Sequence, residues 1–410
     1  MRTYVLGASV AALCATGAVA GGIERSSNNY GLLFDDGNQV ELTFSHVAPN
    51  VSGDYVAAAG GGSTGDMAGD YTSTGVAYKT DINDRLSFGL FFNEGYGASS
   101  TYREGFYTGL NAEWDSNQTA VILKYQATDR VSVYGGVRYI ESRADIAIPD
   151  QMIRAQTARG AAEASAAAAA AAAAYGASDP RTIGAQNLAA RLSAVASSPT
   201  SLEFSANAET DGVFGYVLGA AYEIPDIALR VGLTWQNAVT HEFDTTETSL
   251  GYGVVGVEST TEIELPQSLA LDFQTGVAKD TLVFGQIKWT EWSKWEVRTQ
   301  EYDRVTGGDA ITGIDDDVIT WQLGVGRRFS DAFSGFARVT YEKSNGGIAS
   351  RLAPTDGRIS LGLGGTYTDG IMTIRGGVEF AKLGDAEDAS GTKFEDNTFM
   401  GLGAAMTFAF

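Results

Sequence analysis

From residue 39 to residue 410, apolar residues alternate with polar or small ones at a period of two, segment after segment. That period belongs to a strand whose two faces meet different surroundings. The last segment shows it most cleanly. Met400, Leu402, Ala404, Met406, Phe408 and Phe410 alternate with Phe399, Gly401, Gly403, Ala405, Thr407 and Ala409. No apolar run after residue 20 reaches the roughly 18 residues of a transmembrane helix, which excludes a helical membrane protein. Membrane-crossing strands pass that test unseen, because their alternation averages the hydropathy toward neutral. With 51 glycines, only 7 prolines and frequent aromatics, the chain suits long twisted strands.

The connections come in two kinds. Six are tight and carry turn chemistry: Ile82-Asn83-Asp84-Arg85, Thr128-Asp129-Arg130, Pro225-Asp226, Lys279-Asp280, Ser330-Asp331 and Thr368-Asp369-Gly370. Seven are long and polar, over 49–70, 95–116, 144–206, 242–266, 293–316, 344–356 and 383–396. They separate fourteen strands: 39–48, 71–81, 86–94, 117–127, 131–143, 207–224, 228–241, 267–278, 281–292, 317–328, 334–343, 357–368, 371–382 and 397–410. Each reaches the roughly 9–11 residues a strand needs to cross a bilayer. An even number of strands, with short turns on one side and long loops on the other, is an all-β, antiparallel transmembrane barrel in the bacterial outer membrane. Its short turns are periplasmic, and its outer face meets the membrane lipids and lipopolysaccharide. Face assignments agree. Leu86, Phe88, Leu90 and Phe92 point to lipid, while Ser87, Gly89, Phe91 and Asn93 point inward. Leu269, Leu271 and Phe273 oppose Ser268, Asp272 and Gln274, and Met372, Ile374, Val378 and Phe380 oppose Thr373, Arg375 and Glu379.

Ahead of the strands, Arg2 and an uncharged apolar stretch over 5–19 lead to Ala18-Val19-Ala20, so residues 1–20 read as a cleaved signal peptide. Cys14 is the only cysteine and would leave with it, so no disulfide or thiolate metal site is expected. Residues 21–38 are too polar to span and are expected to plug the barrel as a short hatch. The strands then fill 39–410, with an alanine-rich insertion at 154–175 that includes nine consecutive alanines. Alanine favours helix. This insertion is either a low-complexity helix or a helical lid over the outer mouth. The balance of 28 basic against 50 acidic residues, a net −22, excludes nucleic acid as a partner.

Several stretches resemble the FadL/TodX family of outer-membrane long-chain fatty-acid and hydrocarbon transporters. They are Gly21-Gly22-Ile23-Glu24-Arg25-Ser26 with Leu33-Phe34-Asp35-Asp36-Gly37-Asn38, then residues 40–53, and Leu86-Ser87-Phe88-Gly89 leading to Tyr96-Gly97. Ala221-Tyr222-Glu223-Ile224-Pro225, Trp289-Thr290-Glu291-Trp292-Ser293 and Gly324-Val325-Gly326-Arg327-Arg328-Phe329-Ser330 are also similar. The resemblance implies a hatch-closed barrel that takes a long-chain fatty acid or a similar hydrophobic compound from its loops. The ligand then moves to a lumen site and leaves sideways where the third strand kinks. Here that kink falls at Asn93, Gly95 and Gly97, with an ordinary strand end as the other reading. The family's Asn-Pro-Ala hatch motif is absent.

An amphipath needs an apolar slot and cations near its carboxylate. Alternation puts Lys124, Arg138, Arg230, Lys288, Arg328 and Arg338 inward. Arg138 and Lys288, on the outer halves of upward strands, are the expected carboxylate partners; pairing with Asp272, Glu342 or Glu379 is the alternative. Phe91 and Trp292 are the expected slot residues, while Trp289 and Trp295 are assigned to the interfacial girdle. No catalytic residue is assigned: His46 and His241 lack a partner motif, and no G-x-S-x-G occurs. No cofactor or metal is expected, since the acidic runs near Asp315 and Asp385 match no calcium loop. The rival to the transporter is a general porin with an open, charged lumen.

Overall fold

In lipid every backbone N–H and C=O must find a protein partner, so a sheet that crosses a membrane has to close on itself. The computed structural model, which describes residues 23–26 and 30–410, is such a closed sheet. The stretch 1–20 that reads as a signal peptide, with Cys14, lies outside the described residues.

Fourteen antiparallel strands form the wall. They are β1 Gln39–Asn50, β2 Tyr71–Asn83, β3 Leu86–Asn93 with Gly97–Thr101, β4 Asn111–Gln126, β5 Val131–Ile148 and β6 Phe204–Ile224. Then come β7 Leu229–Gln236 with Val239–Ser249, β8 Val254–Leu265 with Ser268–Ala278, β9 Thr281–Thr290 and β10 Val318–Arg328. The circuit ends with β11 Phe333–Glu342, β12 Arg358–Asp369, β13 Met372–Leu383 and β14 Thr398–Ala409. Three of them (β3, β7 and β8) are interrupted. The wall closes where β14 pairs with β1, from Gln39 opposite Ala409 to Asn50 opposite Thr398.

The short turns follow from local chemistry. The Asn83 side-chain oxygen accepts the N–H groups of Arg85 and Leu86, each at 3.0 Å. Asp280 takes a left-handed φ of 58° between β8 and β9, a conformation that Asp tolerates in tight turns.

Burial confirms the alternation. Leu42, Phe44, Leu90, Phe92, Leu361, Leu363, Met400 and Leu402 are exposed on the outside, while their chain neighbours Glu41, Phe91, Ser360 and Phe399 are buried. Inside, the charges are paired. Arg338 meets Glu379 and Arg358 meets Glu342, both at 2.8 Å, and Arg375 meets Glu41. These arginines sit on β11, β12 and β13, so one wall of the lumen is a belt of buried ion pairs. An unpaired charge there would be strongly unfavourable.

Several expected loops contain more structure than anticipated. Residues 242–266, read as a loop, are largely the paired upper halves of β7 and β8, joined through Leu250–Tyr252 and Gly253. Residues 95–116 include the second segment of β3 and the start of β4. In 144–206, β5 runs on to Ile148, β6 starts at Phe204, and two helices lie between: α1 Asp150–Tyr175 and α2 Pro180–Ala196. Only the first was expected. The base of α1 is tied to the loops: Arg154 pairs with Asp150 at 2.7 Å and donates to Ala196 O and Ser198 O at 2.7 and 2.9 Å. Above it α1 packs on α2, burying Ala161, Ala164 and Ala168. A third helix, α3 Gln300–Thr306, starts on the Glu247 carboxylate, which accepts the N–H groups of Glu301 and Tyr302.

Two outcomes follow. Leu361→Lys puts a charge on the lipid face and should destabilise the barrel by about 2–4 kcal/mol in urea unfolding from bilayers, whereas Leu361→Val should be near neutral. The Arg154 side chain and the Leu202 N–H hold the Asp150 carboxyl below the usual carboxylate range. A depressed carboxylate stabilises above its unfolded pKa and loses that contribution as pH falls through the folded value. The protection of the Leu202 amide, relative to its intrinsic exchange rate at each pH, should therefore fall on strong acidification and stay constant between neutral pH and the ordinary carboxylate range.

Candidate ligand site

The break in β3 organises the interior. Both of its segments pair with β4, but residues 94–96 oppose only residues 116 and 117, a bulge. Ser116 fills the β4 side, its hydroxyl accepting from Tyr96 N and donating to Tyr96 O, both at 2.8 Å. On the other edge the ladder to β2 ends at Gly75 opposite Asn93. The N-terminal segment takes over there. Arg25 N–H donates to Gly95 O at 3.1 Å, and Gly97 N–H donates to Ile23 O at 2.7 Å. Glu24 thus bridges Tyr96 as a one-residue strand.

Side chains fasten this stitch. Asn93 Nδ2 donates to Ser26 Oγ at 2.6 Å. The Arg25 guanidinium lies over the Tyr71 ring, 4.6 Å from its centre. Gly97 is glycine for a steric reason: a Cβ there would sit 2.3 Å from Arg25 Nε. Glu24 reaches across the lumen to Lys288 Nζ at 2.5 Å. Further down, residues 30–38 rest on the inner wall. Phe34 is held between Arg230 and Lys124, whose charged groups are 4.6 and 4.8 Å from its ring centre. Lys79 pairs with Asp81 at 2.6 Å and donates to Asp35 O and Gly37 O.

Above the stitch lies an apolar chamber. Ile23, Tyr96, Trp114, Ile140, Phe243, Ile263, Trp292 and Trp295 form one buried cluster. Trp292 meets Tyr96 and Trp295 edge-on, each at 6.4 Å. Next to it a cavity of about 100 Å³, the space open to the centre of a water molecule, is bounded by Ile23, Arg25, Tyr71, Trp114, Trp295 and Thr299. The indole N–H groups of Trp114, Trp292 and Trp295 and the Thr299 hydroxyl are buried without a hydrogen-bond partner among the described residues. Donors left open in an otherwise apolar chamber suit a ligand that carries an acceptor oxygen. Loops close the top. Tyr107 stacks edge-on with Tyr55 and Tyr102, at 5.1 and 5.3 Å, and its hydroxyl donates to Asp388. Burial pushes the Tyr55 phenol up to about 12.

Most of the residues singled out from the sequence converge here. Asn93, Gly95 and Gly97 flank the break, Lys288 holds Glu24, and Trp292 is fully buried beside Tyr96. Arg138 is fully buried nearby, donating to Tyr96 Oη at 3.4 Å and to Asn237 O. It has no carboxylate within ion-pair distance among the described residues, and its Nε has no hydrogen-bond partner there. Phe91 does not join them. It faces inward but packs edge-on against Tyr30 at 5.1 Å, with Leu32 and Leu33, under the N-terminal segment. Trp295 is not a girdle residue: the turn Trp292–Lys294 re-aims it into the chamber. The sequence reading missed Glu24, Arg25, Tyr96 and Trp114 as site residues. Asn237, one residue beyond the inward Gln236, was missed too.

Gly97→Leu should evict Arg25 and unstitch the segment. Trypsin should then cut after Arg25, a bond that stays intact in the native barrel, where Arg25 is 9% exposed.

The comparisons with known proteins agree with this architecture. Residues 5–382 match the family model described as outer membrane protein transport protein (OMPP1/FadL/TodX). No curated protein sequence matches the chain. Among solved structures, a Pseudomonas aeruginosa FadL homologue superposes with a TM-score of 0.67 at 15% identity, covering 97% of this chain and 96% of that one. The P. putida toluene transporter TodX gives 0.64 at 15% identity, covering 96% and 94%. The CymD monoaromatic hydrocarbon channel gives 0.56 at 14% identity, covering 94% and 91%. At these identities the structures speak for the fold, and the family model for the lineage: the chain belongs to the OMPP1/FadL/TodX family of outer-membrane transport proteins.

Proposed function

We propose that this barrel takes up a long-chain fatty acid, or a similar amphipath, by passive passage through the outer membrane. The loops capture the ligand, the apolar chamber holds it, and the break in β3 releases it sideways. The observation that carries this reading is Glu24 on Lys288. A carboxylate of the N-terminal segment already occupies the lumen lysine, one residue from the backbone bonds that seal β3. A ligand carboxylate that takes Lys288 displaces Glu24, and the two bonds to Gly95 and Gly97 lose their anchor. Arg138 is the second cation, desolvated and without a carboxylate among the described residues. Trp292 lines the apolar slot, and Phe91 seats the N-terminal plug.

The porin alternative asks for an open, charged lumen. Against it stand the N-terminal segment packed across the barrel and the belt of ion pairs that neutralises the opposite wall. The solved TodX and CymD barrels, by their titles, handle toluene and monoaromatic hydrocarbons. For this chain the unpartnered indole N–H groups and the two cations favour a ligand with a charged end over a bare hydrocarbon.

Tryptophan fluorescence of the refolded barrel should report saturable binding of palmitate. Lys288→Ala and Arg138→Ala should each weaken it about tenfold or more, the scale of one lost charge-assisted hydrogen bond. Neither should change the binding of hexadecane. Glu24→Gln should tighten palmitate, because the competing carboxylate is gone. Ohmic ion conductance in planar bilayers without palmitate binding would establish a porin instead.

A further inference from the structure

The wall has a second weak place, between β6 and β7. Their ladder holds from Val217 opposite Gln236 down to Ile224 opposite Leu229, and again where Ser205–Ala208 face Thr245–Thr248. Between these stretches, residues 209–216 and 237–244 form no ladder. The register is the same on both sides of the gap, so the strands part and rejoin without slipping.

The cause is a mismatch of phase. Opposed residues of an antiparallel pair must point to the same face. Strand β7 inverts its facing at residues 237 and 238: Gln236 is buried below, and Val239, His241 and Phe243 are buried above. Strand β8 inverts opposite it at residues 266 and 267, so that pair stays in step. Strand β6 inverts only at residues 209 and 210, where it bulges against β5 between Ser142 and Ala144. Between the two inversions β6 and β7 present opposite faces. Exposed Gly212 lies across from buried His241, and exposed Phe214 from buried Val239.

One backbone bond, Asn237 N–H to Tyr216 O at 3.3 Å, holds the lower end of this stretch, and side chains seal the rest. Asn237 Oδ1 accepts from Tyr216 N, at 2.5 Å, and the Arg138 guanidinium donates to Asn237 O. Asp211 accepts from Glu242 N at 3.3 Å and from His241 Nδ1 at 2.8 Å. Its inner lip, Val239 and Phe243, belongs to the same apolar cluster as Ile23, Trp292 and Trp295. Its outer lip, Phe214 and Tyr216, is 68% and 56% exposed, apolar on the lipid side. Eight residues separate its lower end from the periplasmic turn, as eight separate the β3 break from its own turn.

The geometry points to a second lateral passage, between β6 and β7, through which an apolar chain moves from the chamber into the outer leaflet. The passage opens by release of the Asn237, Asp211 and Arg138 side chains and of the single backbone bond from Asn237 N–H to Tyr216 O, with no continuous ladder to break. Its cargo rests on the transporter reading above; its existence as an opening does not.

Two measurements separate these. A Cβ on Gly215 would lie 2.8 Å from Val239 Cγ1, so Gly215→Cys with Val239→Cys can be stapled by oxidation. In vesicles carrying the barrel, transfer of pyrene-labelled hexadecanoate should be partly lost on oxidation and restored by reductant. A staple across the other break, Thr74→Cys with Glu94→Cys, should remove the remainder, so that both together abolish transfer. Full transfer with the first staple closed would overturn the proposal. The second measurement needs no cargo. Bimane on Val239→Cys should be quenched by doxyl-labelled lipid, whereas bimane on Val217→Cys, equally inward but below the gap, should not. Equal protection at both positions means the wall stays shut there, and the proposal fails even where palmitate binds. Quenching at Val239 without palmitate binding keeps the passage and removes the fatty acid from it.

Discussion

Backbone hydrogen bonding in a medium without water governs this structure. A barrel satisfies its own N–H and C=O groups by closing, and each place where the ladder fails must be repaired from elsewhere. The chain repairs its failures in two ways. At β3 the repair is backbone from a distant segment, the strip around Glu24. Between β6 and β7 it is side chains, Asn237 and Asp211, acting as substitute acceptors. Both repairs are reversible in a way that a ladder is not. A ladder opens cooperatively along its length, whereas a one-residue strand or a single amide side chain can leave alone. On the proposed mechanism these weak points are where a ligand passes.

Charge obeys the same constraint. The lumen of a narrow barrel is largely dry, so each inward Arg or Lys needs a partner. On β11 to β13 the partners are wall carboxylates. On the opposite wall the N-terminal segment supplies them: Glu24 for Lys288, backbone carbonyls for Lys79, and the Phe34 ring for Arg230 and Lys124. The segment and the wall therefore neutralise each other. Withdrawing the segment takes the carboxylate from Lys288, while Lys79 keeps the wall carboxylate Asp81.

The strands and their faces were legible because lipid imposes a sharp contrast. Leu361 and Leu363 outside, Arg358 and Ser360 inside, need no structure to be read. The contrast fades above the membrane. Along residues 240–249, Thr240, Glu242, Asp244 and Thr246 face water, while His241, Thr245, Glu247 and Ser249 face in. Apart from the buried Phe243, both sets are polar, so the upper half of β7 reads as a loop. Helix α2 carried a start signal, the Asp179 cap followed by Pro180, that the neighbouring alanine run overshadowed. Trp295 was misplaced because extrapolating a strand's alternation past Thr290 ignores the turn that follows. The pairing of Glu24 with Lys288, across 264 residues, leaves no local trace at all.

The height of the breaks has its own logic. Eight residues above the periplasmic turn is about 27 Å along a strand and, at the usual tilt, about 20 Å along the membrane normal. The apolar band of such barrels is about 25 Å tall, so both breaks open within its upper part, close to the outer interface. Water is near enough there to solvate a backbone group during the moment of opening. Lower down, an unpaired N–H would cost several kcal/mol with nothing to offset it. Apart from bulges beside the turns, at Asp81/Asn83 and Gly276/Ala278, the ladders below this height run unbroken in every pair. A ligand that leaves sideways therefore does so where the wall can open at least cost, and the inversion of β7 at Asn237 puts a second such place at the same level as the first.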